Sequence, residues 1–323
     1  MKPPDRRGLL SLLIDDGRPL ITLTGLALAA SGLFASLQAV TGHLLPHDEA
    51  FLGMFAADLA KLRDGRVLHF MIHDRIAFGG AIFGIGTLYL YLSVLLGRGQ
   101  AWAWWTLLVS GVLGFATFLA YLGYGYLDTW HGVATLMLLP VFFTGLFRTR
   151  RLLRPPRGIS VLRRPGVQWP WRSAAGMGRG LLLLTAACLM LGGVIIMMVG
   201  MTTVFVPQDL AFMDITPEQF GAINPRLIPL IAHDRAGFGG AVCCCGLTML
   251  GCLWCGRPSP ALWEAVLAAG AAGFGTAIGV HFPIGYTSFT HLAPAYLGAI
   301  WFITGLVLTW APMHGPEGTT TVS

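Results

Sequence analysis

Residues 73–81 read HDRIAFGGA and residues 233–241 read HDRAGFGGA, 160 positions apart. Nearly the same offset carries GFAT at 114–117 onto GFGT at 273–276, His131 onto His291, and Thr144-Gly145-Leu146 onto Thr304-Gly305-Leu306. PHDEAF at 46–51 likewise answers PQDLAF at 207–212. So many matches at one spacing read as an internal duplication, the first thing to look for before assigning a fold. Four apolar runs fall in each copy. An even number returns the chain to the same side, so the copies are expected to be parallel repeats related by an axis along the membrane normal.

Composition explains where such a unit would live. Of 323 residues, 55% are hydrophobic and only 11% charged, whereas a soluble domain carries about 25% charged residues. Apolar runs near 20–42, 74–96, 102–124, 131–147, 180–204, 234–255, 261–282 and 291–311 approach the ~20 residues a helix needs to cross the hydrocarbon core. Lipid offers unpaired backbone groups no partner, so each run must be helical. The expected fold is therefore an all-α integral membrane protein of eight spans. It divides into a tail at 1–18, a first four-helix repeat at 19–147, a linker at 148–179, a second repeat at 180–311 and a tail at 312–323.

Charge sets the expected orientation. The linker alone holds nine arginines and no acid. By the positive-inside rule both termini and the linker face the cytoplasm of an inner (plasma) membrane. The first run reads as a span rather than a cleaved leader, with Leu9–Ile14 before it an interfacial piece. The net charge of +6 then reflects topology and anionic lipid, with the linker free to dock a partner protein and no call for nucleic acid. All six cysteines lie within spans of the second copy, which argues against a disulfide framework. Cys252 and Cys255 form a C-x-x-C, read mainly as small packing residues. Trp102, Trp104 and Trp105, with Tyr121, Tyr124, Tyr126 and Trp130, read as interfacial belts.

Eight of the nine histidines fall at the opposite, outer end. His73 and His233 open the second span of each copy, and His131 and His291 open the fourth. Down the faces below them come mostly small residues: Ala77, Gly80 and Gly84; Gly237, Gly240 and Cys244; Ala134, Thr135 and Leu138; Pro294, Ala295 and Gly298. Paired imidazoles above such a slot suit a haem or another metal. Arg75 and Arg235 are placed to meet haem propionates. Asp74 and Asp234, and the loop acids and histidine His47, Asp48 and Glu49, complete the polar cluster. Small residues at this spacing also let membrane helices pack closely, so a purely structural network is the alternative.

Eight spans in two four-helix copies, with histidines opening spans 2, 4, 6 and 8, resemble the haem A synthase family in layout. The resemblance implies one haem pair per copy, His73 with His131 and His233 with His291. The local motifs differ: Phe70 stands where that family places a glutamate, and Asp74 separates His73 from Arg75. The expectation is a membrane redox protein with haem of the b type, an oxidoreductase if haem is present. Its rivals are a non-catalytic subunit of a membrane complex and a transporter using the pseudo-twofold interface.

Overall fold

A computed structural model of the chain describes residues 14–120 and 125–315. Most of the N-terminal tail with Leu9–Leu13, the C-terminal residues from 316, and Tyr121 and Tyr124 lie outside the described residues. Eight long helices follow one another: α1 (Arg18–Val40), α2 (Arg66–Gly97), α3 (Ala101–Ala120), α4 (Thr129–Thr149), α5 (Ala174–Gly200), α6 (Leu227–Cys255), α7 (Pro260–Gly279) and α8 (Phe289–His314). Among the described residues the regular structure is entirely helical. Seven stretches are long and apolar enough to cross a membrane; in α3 the apolar stretch, Ala101–Thr117, is shorter.

The ends of these helices follow from short polar signals. Asp128 accepts a hydrogen bond from the His131 backbone N–H, Ser173 from Gly176 and Ser259 from Leu262. Each satisfies a donor that the first turn would leave orphaned. Two short helices before α2 and α6, Pro46–Leu52 and Pro207–Met213, begin with proline, whose missing N–H costs nothing at that position. Their third residues, Asp48 and Asp209, turn a carboxylate oxygen back onto the N–H of Leu45 and Val206.

α2 and α6 form the centre. In each, 67% of the apolar span is buried, against 17–28% in the other candidate spans. α1 packs along α2 and α5 along α6, made close by glycine. A Cβ added at Gly79 would stand 2.5 Å from the Gly32 carbonyl, and one at Gly239 would stand 2.7 Å from that of Gly193. Lipid tails are as apolar as leucine, so backbone approach of this kind holds such helices together.

Contacts also cross between the first four helices and the last four. α7 packs on α2, and α3 on α6, while α2 and α6 touch each other. Gly80 of α2 leaves room for the Thr276 hydroxyl of α7, and Gly240 of α6 for that of Thr117 in α3. This exchange decides which side chains meet at the histidine end.

Candidate functional site

The polar end of the bundle is built around two arginines. Arg75 donates from Nε to Asp234 at 2.7 Å and from a terminal nitrogen to Asp48 at 2.5 Å. Arg235 donates to Asp74 at 3.3 Å, to the Val204 carbonyl at 2.9 Å, and to Asp209. The Arg75–Asp234 and Arg235–Asp74 pairs clamp α2 and α6 reciprocally. Tyr126 donates its hydroxyl to Asp48, and Tyr286 donates its own to Asp209 at 2.7 Å. All eight of these side chains are buried or half-buried.

The loop groups titrate accordingly. Burial opposes ionisation of Asp48, but the Arg75 charge and hydrogen bonds from Arg75 and Tyr126 outweigh it and hold its pKa below the usual carboxylate range. Asp209 follows the same pattern with Arg235, the Val206 backbone and Tyr286. Burial, then the neighbouring carboxylates, push the Tyr126 and Tyr286 phenols up, so both remain protonated donors.

Two clusters of ligand-type side chains flank this lattice. His73, His281 and His291 bring one ring nitrogen each within 4.8 Å of one another, and so do Asp128, His131 and His233 with one ligand atom each. The expected pairing of His73 with His131 and of His233 with His291 is therefore corrected. His73 faces His291, ring centroids 6.4 Å apart, and His131 faces His233 at 5.9 Å. The cause is the exchange of helices: α7 lies on α2 and delivers His281 and the start of α8 to His73.

The protons of the first cluster can be placed. His73 Nδ1 lies 2.5 Å from the Phe70 carbonyl, which only accepts, so Nδ1 carries a hydrogen and in the neutral ring Nε2 keeps its lone pair. The Tyr286 proton is committed to Asp209, so its oxygen accepts from His291 Nδ1 at 3.1 Å, and His291 Nε2 is likewise left with a lone pair. This is how metal-binding imidazoles are oriented elsewhere. Asp74 Oδ1 lies 3.4 Å from His73 Nε2. At that distance a proton or a metal cation on Nε2 would bring the two groups into favourable contact. Neither ring nitrogen of the buried His281 makes a well-formed hydrogen bond.

A cavity of about 470 Å³ runs from His73, His281 and His291 down between α2, α5, α6, α7 and α8. Its walls include Ala77, Ala81, Gly270, Gly273, Ala295 and Gly298, so small residues do lie beneath these histidines. It reaches Ile195 of α5, which is 63% exposed on the outer face of the bundle. A smaller cavity of about 100 Å³ adjoins His131, His233 and Asp128, narrowed by Phe34, Leu45 and Phe78.

Other expectations are corrected. Arg75 and Arg235 are engaged by two carboxylates of the chain each, rather than held open for propionates. Glu49 accepts from the Ala56 N–H and stays outside the lattice. Tyr126 and Trp104 are buried, the latter donating to the Leu146 carbonyl, and belong to no interfacial belt. Asp128 and His281 were not read as site residues. Tyr126 and Tyr286 share the 160-residue offset, and Asp48 and Asp209 a nearly equal one, which is the signal that marks them. The cysteines are free, five of them buried. No family model matches the chain, and no curated protein or solved structure is similar to it.

Proposed function

We propose that the chain is a multi-pass membrane redox protein of two parallel four-helix repeats, with a haem held in the larger cavity between His73 and His291. One observation carries this reading: the His73 and His291 rings, with centroids 6.4 Å apart, stand at the head of a cavity walled by small residues. His73 and His291 are the residues that would hold the haem there. The b type follows because C-x-x-C here is followed by Gly256, not the histidine of a covalent haem motif. Bound there, haem supplies one-electron transfer. The chain's own part is to fix both imidazoles through Phe70 and Tyr286, to exclude water, and to balance charge through Arg235, Asp74 and Asp209. The arginine-rich segment 148–179 supports a topology with both termini in the cytoplasm and the histidine end outside.

Protein purified from a haem-sufficient host should show a Soret band. His73→Ala and His291→Ala should each abolish it, and His131→Ala should leave it. Absence of the band from the wild-type protein defeats the haem reading. A second reading rests on His281, which adds a third imidazole suited to a bare zinc or copper ion. Stoichiometric metal without a Soret band, lost in His281→Ala, would select it.

A further inference from the structure

We infer that the smaller cavity is a second and chemically different site, in which Asp128, His131 and His233 bind a divalent first-row transition-metal ion. The orientation of Asp128 is the first argument. Its Oδ1 accepts from the His131 backbone at 2.8 Å and lies 3.0 Å from His47 Nε2. The backbone hydrogen bond fixes Oδ1, and Oδ2 stands 3.8 Å from His233 Nε2. That gap is too long for a hydrogen bond. It is close to the ~3–3.5 Å between two ligands that each sit roughly 2.1 Å from one ion.

Charge is the second argument. Asp48 and Asp234 pair with Arg75, and Asp128 lines the same cavity, three carboxylates beside one guanidinium. Their formal balance of −2 is what a divalent cation neutralises. On the His73 side the position of Asp128 is taken by Ser288, and Arg235 meets only Asp74 and Asp209. Size is the third: about 100 Å³ admits an ion with a water or a small ligand and not a macrocycle. Two histidines and one carboxylate with an open side form the donor set of non-haem iron and related ions. His47 is then a positioning residue, acting through Asp128.

The test uses the whole protein in detergent, stripped with a chelator and titrated with Co²⁺, with visible d–d bands and elemental analysis as readouts. One equivalent is expected at this site. Asp128→Asn, which retains the helix cap, and His131→Gln should each lose it, and His47→Ala should weaken it by ~10–100-fold. The Soret band of the larger cavity should be unchanged in all three, so the two sites fail separately. A wild-type protein that takes up no Co²⁺, Zn²⁺ or Fe²⁺ overturns the inference. So does an equivalent that survives both ligand variants unaltered.

Discussion

At the residue scale, Asp48 and Asp209 each serve several partners at once. Each carboxylate caps its own short helix, receives an arginine from a central helix and accepts from a tyrosine. Removing one partner of such a buried ion pair leaves an uncompensated charge. Arg75→Ala is therefore expected to cost about 3–5 kcal/mol, measured as a lowered unfolding midpoint in detergent. The pH dependence has a definite sign. Both carboxyls release their protons more readily in the folded chain than in the unfolded one, where an aspartate titrates near ~3.9. Their stabilisation is thus fully present above about pH 4 and is lost as pH falls through the lower folded values. The loss of melting temperature contributed by these two carboxyls should therefore set in below about pH 4, and Asp48→Asn should remove part of it.

At the scale of elements, glycine contacts set how near the helices come. A methyl at Gly79 would meet the Ser36 hydroxyl and the Gly32 carbonyl of α1. Gly79→Ala should cost roughly 1–3 kcal/mol through overpacking, read as loss of thermal stability. The positions of the long helices were legible from apolar runs, because the need to satisfy every backbone group in lipid leaves a single outcome. The short helices at Pro46–Leu52 and Pro207–Met213 were not, since a proline followed by an aspartate in a loop signals a turn as readily as a capped helix. Asp128 was passed over for a related reason. Its dual role as cap and as cluster member depends on the approach of α6, which local sequence does not encode.

For the whole molecule, the sequence named His73, His131, His233 and His291 and failed on which of them meet. Periodicity ranks residues on one helix face, whereas pairing depends on the exchange of α3 and α7 between the two groups of helices. That exchange predicts that a chain cut within segment 150–173 and co-produced as two fragments will regain both spectral signatures. A short-range pairing of His73 with His131 would instead let the first fragment alone show a Soret band. The same mixing explains why α2 and α6 are the most buried spans, each wrapped by helices from both groups.

The crossed clusters also bear on ancestry. A single ancestral four-helix unit could have assembled such centres only as a twofold homodimer, each copy lending its second helix to the fourth helix of the other. In that dimer every substitution would have struck both centres alike. Under the proposed two-repeat architecture, fusion into one chain would have released them from identity, and Asp128 opposite Ser288 is the difference such a release would leave. One gene could then keep a spacious centre and a tight one side by side, separated only by the arginine–aspartate lattice between α2 and α6.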